Sequence, residues 1–283
     1  MPAGKIKVAT CQFAVSGSIG RNSRQICEFL RKAGKAKADI VHFPECALSG
    51  YAGADLESLE GYDWPLLRQE TEKIMALAGK LGLWVALGST HRLTEPNKPH
   101  NSLYLIGPDG GIADRYDKRF CLESELAHYT PGNRFVTFTL NGVKCALLIC
   151  FDVRFPELYR QLHKLKVEFV LQSFYNARQK GPTVHTDIMR QTMQCRAATN
   201  HFWMSMCNSS GYYSPYASCF IQPDGKITGR LRFNHAGIMV NTVDLRKQFY
   251  DPMTPFRNMA IKGTLSSSAK TINDRRSTNR KSL

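Results

Sequence analysis

Three side chains with nucleophilic or ionisable groups stand near the ends of strand-like segments. Cys150 ends the apolar run 144–150, and Glu45 follows the apolar run 39–43. Lys118 lies in a basic group after a predicted hairpin. A thiol, a carboxylate and an ammonium group together could attack a carbonyl, accept a proton and stabilise the oxyanion that forms.

The setting of Cys150 predicts an activated thiol. Its strand is followed by Pro156 near the first turn of a predicted helix, so the thiol faces the start of that helix. We expect the helix dipole and backbone N–H groups to favour the thiolate. Taken alone, this setting is weak evidence, because a buried cysteine is usually an inert packing residue.

Glu45 and Lys118 each have a functional and a structural interpretation. Because Glu45 lies just after the end of an apolar strand, desolvation would raise its pKa, and the carboxylate could accept the thiol proton. Alternatively, it caps a helix or lies on the surface. Lys118 either stabilises a developing oxyanion or belongs to a solvated charge cluster.

The elements that must position these residues alternate between strands and helices. The predicted strands are Lys5–Phe13, Asp39–Phe43, Leu83–Ser89, Ser102–Ile106, Lys144–Cys150, Glu168–Ser173, Phe202–Cys207, Ser218–Gln222 and Ile238–Asp244. The predicted helices are Asn22–Ala36, Pro65–Leu81, Pro156–Leu165 and His185–Thr199. This alternation predicts an α/β protein.

Two turn signals predict an internal repeat. Residues 108–111 and 223–226 each supply turn residues between strand-like runs, and each follows a β/α stretch. We therefore predict a four-layer αββα sandwich, in which two packed β-sheets are flanked by helices. One domain is expected over residues 1–261, followed by a basic C-terminal extension over 262–283.

Composition and cysteine usage predict a cytoplasmic protein without a metal or cofactor. The nine cysteines are odd in number and scattered, and no CxxC pair or HExxH spacing occurs. The start, Met1–Phe13, has too short an apolar stretch for a signal peptide or a membrane span. We expect no membrane partner.

The formal net charge of +15 raises the question of nucleic-acid binding. About a third of the excess lies in the extension, which is rich in Ser, Thr and Asn. Its six basic residues are Lys262, Lys270, Arg275, Arg276, Arg280 and Lys281, against Asp274. Without a nucleic-acid fold motif, solubility or an anionic substrate explains this charge better than a nucleic-acid partner.

The three side chains stand within longer motifs that resemble the nitrilase superfamily, also called carbon–nitrogen hydrolases. The resemblance runs roughly from Ile6 to Asp244. Its segments are Val8-Ala9-Thr10-Cys11-Gln12-Phe13, Phe43-Pro44-Glu45, Ser49-Gly50-Tyr51, Tyr116-Asp117-Lys118-Arg119, Tyr129-Thr130-Pro131-Gly132-Asn133, Cys150-Phe151-Asp152-Val153-Arg154-Phe155-Pro156-Glu157-Leu158-Tyr159 and Arg196-Ala197-Ala198-Thr199-Asn200. The form around the cysteine is most similar to the omega-amidase and Nit-like amidase branch.

The resemblance implies a Glu45, Lys118 and Cys150 triad and the αββα fold. It also implies a second glutamate, for which Glu125 fits best and Glu123 is the near alternative. A small amide would be cleaved through a thioester, in a homodimer or larger even assembly with the helices 156–165 and 185–199 at the interface. The predicted substrate-binding residues are Tyr51, Phe151, Arg154 and Asn176.

Three alternatives remain open from the sequence. A Cys–His hydrolase would use His128 or His185 as its base. The second alternative is an N-carbamoyl amide hydrolase, although only Arg154 is present where such relatives often carry two adjacent arginines. A catalytically inactive binding or scaffold protein with a basic tail is the alternative from a different class.

Overall fold

A computed structural model describes residues 3–178, 181–268, 270 and 272–281. The strands are β1 (Lys5–Gln12), β2 (Ile40–His42), β3 (Trp84–His91), β4 (His100–Ile106), β5 (Ile112–Asp117), β6 (Thr137–Leu140), β7 (Val143–Ile149), β8 (Phe169–Phe174), β9 (Trp203–Asn208), β10 (Cys219–Ile221), β11 (Ile227–Arg230) and β12 (Gly237–Asp244). The α-helices are α1 (Ile19–Lys35), α2 (Trp64–Leu81), α3 (Pro156–Lys164), α4 (Val184–Asn200), α5 (Thr254–Ile261) and α6 (Arg275–Thr278). Among these described residues, no helix is long and apolar enough to cross a membrane.

The strands form two six-stranded sheets that repeat one chain path. The first sheet has the order β12-β1-β2-β3-β4-β5 and the second β11-β10-β9-β8-β7-β6. In each, three parallel strands joined by two helices are followed by two antiparallel strands: β1 to β5 in one and β7 to β11 in the other. The predicted repeat and the αββα sandwich are confirmed.

Alternation along the strands assigns their side chains to two layers. In β1, Ile6 and Val8 join the core between the sheets, whereas Ala9 and Cys11 pack under the helices of the first sheet. Each fully buried aliphatic side chain of this kind contributes about 1.5–3 kcal/mol to folding.

The buried face of α1 follows the predicted helical spacing. It consists of Ile26, Phe29, Leu30 and Ala33, together with smaller residues. The helix begins three residues before the predicted Asn22, because the Ser18 side chain accepts a hydrogen bond from the Arg21 N–H.

Polar side chains cross the apolar layer between the sheets. His42 on β2 contacts Ser205 Oγ through Nδ1 (2.8 Å) and Ser173 Oγ through Nε2 (2.9 Å), both on the second sheet. Thr10 Oγ1 lies 2.7 Å from the same Ser205 hydroxyl. Burial lowers the pKa of His42 to about 3, so the ring is neutral and both of its nitrogens can be satisfied.

The chain divides into two compact units, one ending at Phe249 and the other beginning at Tyr250. The second unit holds α5 and α6, and Leu265 within it is 89% exposed. The proposed domain boundary at residue 261 stays a prediction. Residues 1, 2, 179, 180, 269, 271, 282 and 283, which fall within the predicted domain and extension, lie outside the described residues.

Candidate active site

The candidate site lies where strand ends from both sheets meet. Glu45 and Lys118 follow β2 and β5 of the first sheet, whereas Cys150 and Asn176 follow β7 and β8 of the second. The Glu45 N–H donates to the Phe174 carbonyl (3.3 Å), which joins the two edges. The carboxyl ends of parallel strands are the usual place for a site in α/β folds.

Glu45 is fully buried and its carboxylate is held on both oxygens. Oε1 accepts hydrogen bonds from Asn101 Nδ2 and Lys118 Nζ, each at 2.8 Å, and Oε2 accepts one from the Tyr175 N–H at 2.7 Å. Burial raises the pKa of Glu45, Lys118 opposes this, and Glu125 adds to it. The net effect is a raised pKa, as expected for a carboxylate just after the end of an apolar strand. A raised pKa suits a group that must accept a proton.

A glycine sets the position of the turn that carries Glu45. A Cβ atom at Gly88 on β3 would overlap the Pro44 carbonyl and lie 2.8 Å from the Cys46 N–H. Cys46 itself has φ 51°, in the left-handed region that non-glycine residues rarely adopt. The turn therefore fits directly against β3, and this close contact fixes where the Glu45 carboxylate lies.

Lys118 is buried between two carboxylates. Its Nζ lies 2.8 Å from Glu45 Oε1 and 2.5 Å from Glu125 Oε1. Burial alone would lower the pKa of Lys118, but Glu45, Cys150 and Glu125 raise it well above its ordinary value. Lys118 is therefore an ammonium group, and one of its three N–H donors is left for a further acceptor.

Glu125, rather than Glu123, is the second glutamate that contacts Lys118. It is 2% exposed, begins the 3-10 helix Glu125–Ala127, and accepts hydrogen bonds from Tyr51 Oη (2.6 Å) and the Leu122 N–H (2.7 Å). Glu123 is exposed. Over the residues that the structure describes, no group of three or more His, Cys, Asp or Glu side chains could hold a metal ion.

Cys150 occupies a strained turn directly after β7. Its φ is 39°, and its side chain is only partly buried. Asn176 Nδ2 lies 3.5 Å from its Sγ, and Gln172 Nε2 donates to its carbonyl at 3.4 Å. The thiol is thus presented at the strand edge rather than packed within the sheet.

The predicted thiolate at Cys150 is wrong for this structure. A 3-10 helix, Cys150–Arg154, separates the thiol from α3, which begins at Pro156. Burial raises the pKa of the Cys150 thiol and Glu45 raises it further, whereas Lys118 lowers it. The net rise leaves a protonated thiol, which needs a base when it attacks.

Asp152 joins the loops that carry Lys118 and Cys150, and sequence reasoning gave it no role. Its buried carboxylate accepts hydrogen bonds from the Ile149 N–H (3.0 Å), the Phe120 N–H (3.0 Å) and Tyr116 Oη (2.7 Å). The available signal was an acid two residues after a strand end, where such side chains commonly bond to backbone N–H groups.

The four predicted substrate-binding residues lie in different surroundings. Asn176 contacts the Cys150 thiol, and Tyr51 stacks on Tyr175 with ring centroids 4.7 Å apart. Phe151 packs edge-on against a neighbouring phenylalanine, and Arg154 Nη2 lies 3.4 Å from His185 Nδ1. Asn176 and Tyr51 are thus in contact with the Cys150, Lys118 and Glu125 group, while Arg154 faces α4.

Neither candidate histidine base touches the thiol. Among the described residues, the side-chain hydrogen bond to Cys150 Sγ comes from Asn176, and His185 is paired with Arg154. His128 packs near Gly53 and Tyr129. Glu45 is therefore the base that this geometry favours.

Known proteins with similar sequences and structures are amidases and related hydrolases. A family model described as carbon-nitrogen hydrolase matches residues 7–247. A 2-oxoglutaramate amidase from Bacillus subtilis is 30% identical over 210 residues, covering 73% of this chain and 77% of that protein. An (R)-stereoselective amidase from Pseudomonas sp. is 32% identical over 173 residues, which cover 61% of this chain and only 60% of that amidase.

A solved structure has the same fold. It is a glutamate-to-glutamine variant of the amidase from Nesterenkonia sp. AN1, showing the result of Michael addition of acrylamide at its active site cysteine. The TM-score is 0.75 with 20% sequence identity, over 91% of this chain and 98% of that one.

Proposed function

The chain belongs to the carbon-nitrogen hydrolase family, and we propose that it is a cysteine amidohydrolase that cleaves the C–N bond of a small, non-peptide amide. Cys150 is the nucleophile, Glu45 the general base, Lys118 the oxyanion stabiliser and Glu125 the residue that orients Lys118. The observation that carries this proposal is the Lys118 ammonium held between Glu45 and Glu125 beside the Cys150 thiol.

The first half of the reaction forms a thioester. Glu45 takes the thiol proton while sulfur attacks the amide carbon, because the raised pKa of Cys150 keeps its thiol protonated until attack and the raised pKa of Glu45 makes its carboxylate a stronger base. The remaining N–H of Lys118 and the backbone N–H of Phe151, the second residue of its 3-10 helix, stabilise the oxyanion. Glu45 then protonates the departing ammonia or amine.

The second half releases the acid. Glu45, again a carboxylate, activates a water that attacks the thioester, and Cys150 departs with the proton that Glu45 accepted. Asn176 supports this cycle by its contact with Sγ, and Tyr51 by its bond to Glu125. No metal or cofactor takes part in these steps.

The substrate class rests on the relatives. Those compared above are named as amidases, which favours an amide over a nitrile. An N-carbamoyl compound is the second candidate, because Arg154 follows the nucleophile and a guanidinium group can pair with a carboxylate. A panel of amides, carbamoyl compounds and nitriles, scored by ammonia release, separates the three.

The nucleophile is tested by Cys150→Ala, with Cys195→Ala at an exposed cysteine of α4 as the matched control. We expect Cys150→Ala to lower kcat by at least about a thousandfold with the melting temperature little changed, and an acyl adduct on Cys150 in mass spectra of the wild type. Turnover retained in Cys150→Ala would refute the assignment of the nucleophile, whereas a wild type that hydrolyses no member of the panel would favour a binding or scaffold role.

The base is tested by Glu45→Gln against His128→Gln and His185→Gln. We expect acylation to be lost in Glu45→Gln and kept in both histidine variants. The reverse pattern would mean that a Cys–His pair carries the reaction.

We further propose a homodimer or larger even assembly with α3 and α4 at the interface, in the cytoplasm. Leu165, after α3, is 40% exposed and Val184, which starts α4, is 60% exposed, and such an interface would cover both side chains. All nine cysteines are unpaired, which favours a reducing compartment. Light scattering at micromolar concentration tests the assembly, and a stable monomer would refute it.

A further inference from the structure

The buried hydroxyl group of Tyr216 has no role in the site described above. Tyr216 lies in the loop before β10, and its side chain is 1% exposed. Its Oη has no hydrogen-bond partner among the described residues. A buried hydroxyl without a partner is unfavourable and uncommon, so a ligand that binds it would remove a cost that the folded protein otherwise carries.

Contacts of the Tyr216 ring and backbone place this residue beside the catalytic edge. The ring packs edge-on against Phe174, with centroids 5.7 Å apart. Phe174 ends β8, and its carbonyl accepts the Glu45 N–H at 3.3 Å. Asn208 Nδ2 donates both to the Tyr216 carbonyl (2.9 Å) and to the carbonyl of Asn176 (3.1 Å), whose side chain contacts the thiol. Tyr216 is therefore attached to the segment that holds the proposed base and to the segment that meets the proposed nucleophile.

The charges that act on the Tyr216 hydroxyl agree with this placement. Burial raises the pKa of Tyr216, and Cys150 and then Glu45 raise it further. The influence of one charge on another weakens with distance, so both groups lie near the hydroxyl. The hydroxyl is protonated, and it can donate one hydrogen bond and accept others.

The proposed reaction leaves one side of the substrate for this hydroxyl. The carbonyl oxygen binds Lys118 and the Phe151 N–H, and the departing nitrogen takes its proton from Glu45. A group beside Glu45 and Cys150 therefore lies on the nitrogen side of the carbonyl carbon. The water that attacks the thioester enters the same place, because Glu45 activates it there.

We propose that Tyr216 Oη binds the scissile nitrogen in the first half of the reaction and the attacking water in the second. One N–H of the bound amide donates to Oη, which directs the lone pair of the nitrogen towards protonated Glu45 as the tetrahedral intermediate forms. The nitrogen takes that proton, the C–N bond breaks, and ammonia leaves. This inference rests on the proposed amidohydrolase function and adds a catalytic residue to it.

The second half uses the same contact with water. One hydrogen of the water donates to Tyr216 Oη, and the other passes as a proton to the Glu45 carboxylate while the oxygen bonds to the thioester carbon. The C–S bond then breaks, and the sulfur of Cys150 takes the proton from Glu45. Tyr216 exchanges no proton in either half, since it acts only by orienting the nitrogen and the water.

The first test compares butyramide with methyl butyrate, the methyl ester of the same acid. Both form the same thioester, but the ester has no N–H that could donate to Tyr216 Oη. In Tyr216→Phe we expect kcat/KM for butyramide to fall about three- to tenfold and that for methyl butyrate to change less than about twofold. A role in packing or in binding the acyl chain would lower both by the same factor, and that result would overturn the proposal.

The second test follows the thioester itself. After a pulse of methyl butyrate, the acyl adduct on Cys150 should decay about three- to tenfold more slowly in Tyr216→Phe than in the wild type, as measured by mass spectrometry of quenched samples. Decay at the wild-type rate would refute the contact with water.

The matched control is Tyr104→Phe on β4, which removes a hydroxyl that lies 2.7 Å from His91 Nδ1. It should lower Tm and leave the ratio of kcat/KM for the amide to that for the ester unchanged. Tyr216→Phe should lower the ratio and leave Tm unchanged or higher, because its hydroxyl has no protein partner to lose.

A binding measurement separates this inference from the proposed function. Butyramide and methyl butyrate are titrated calorimetrically into Cys150→Ala and into the same protein carrying Tyr216→Phe. Weaker binding of butyramide alone in the second protein supports the contact with nitrogen even if the wild type hydrolyses no amide, an outcome that would defeat only the proposed function. Butyramide that binds both proteins equally refutes the contact.

Discussion

Replacing Glu125 by Gln should impair catalysis in a way that identifies Glu125 as the residue that positions Lys118. Glu125 Oε1 accepts from both Lys118 Nζ and Tyr51 Oη, and Oε2 accepts from the Leu122 N–H. A glutamine amide has only one acceptor oxygen, so either orientation sets its NH₂ group against a donor. One bond of the Lys118 ammonium is therefore weakened or misdirected.

The expected fall in kcat follows from the charge and the burial of Glu125. A hydrogen bond to a charged group contributes about 1.5–3 kcal/mol when it is shielded from water, and Glu125 is 2% exposed. If that contribution is lost in the transition state, kcat falls about ten- to hundredfold. The fall should affect kcat more than KM, because Lys118 acts on the oxyanion rather than on the ground-state amide.

The pH profile gives a readout that a merely structural role would not change. Burial raises the pKa of Glu45, and the negative charge of Glu125 adds to that rise. Glu125→Gln removes this charge, so the pKa of Glu45 falls and the acidic limb of the kcat/KM profile moves to lower pH. The assay is ammonia release from the best amide between pH 4 and 9, with a thermal melt to confirm folding.

The control is Glu123→Gln, which removes an exposed carboxylate two residues earlier. It should leave both kcat and the acidic limb in place. The reasoning fails if Glu125→Gln keeps the wild-type kcat, or if its acidic limb moves to higher pH.

Three further predictions concern stability and the tail. Because burial lowers the pKa of His42 to about 3, its contribution to stability is full above pH 6.5 and is lost as pH falls towards 3. The loss of unfolding free energy between pH 7 and pH 5, measured by chemical unfolding, should be about 2 kcal/mol smaller in His42→Gln than in the wild type and unchanged in the exposed-site control His235→Gln. Gly88→Ala should lower Tm by about 5–10 °C and reduce kcat, since its methyl group displaces the Pro44 turn, whereas Gly20→Ala on α1 should do neither. Truncation after about residue 262 should keep amide turnover and reduce retention on heparin; a large loss of turnover in a folded protein would mean that the tail serves the active site.

The strands that the sequence did not predict share a position in the fold. β5, β6 and β11 are all edge strands, and each is short or polar. An edge strand is covered on fewer sides, so selection for apolar residues is weak and the hydrophobic pattern fades. The nine predicted strands include every central strand, where burial on both faces leaves a clear pattern.

The sequence pattern singled out candidate site residues one at a time and carried little information about the contacts between them. Glu45 and Cys150 could be named because each follows or closes an apolar run, and Lys118 because it lies in a basic group after a predicted hairpin. Asp152 bridges two loops that meet only after the sheets pack, and no local pattern encodes that meeting. The thiolate expectation failed for a similar reason, because helical periodicity does not reveal a 3-10 segment between Cys150 and α3.

The polar crossing at His42 has a consequence for how the enzyme can lose activity. The proposed nucleophile belongs to one sheet and the proposed base to the other, so their separation depends on how the two sheets are aligned. Apolar side chains alone permit small sliding movements of one sheet over the other. The directional hydrogen bonds of His42 with Ser205 and Ser173 hold the sheets in one alignment. A misplacement of about 1 Å can cost a hundredfold in rate with little change in burial. Substitutions between the sheets, far from the substrate, should therefore lower the rate of turnover even where the protein stays folded.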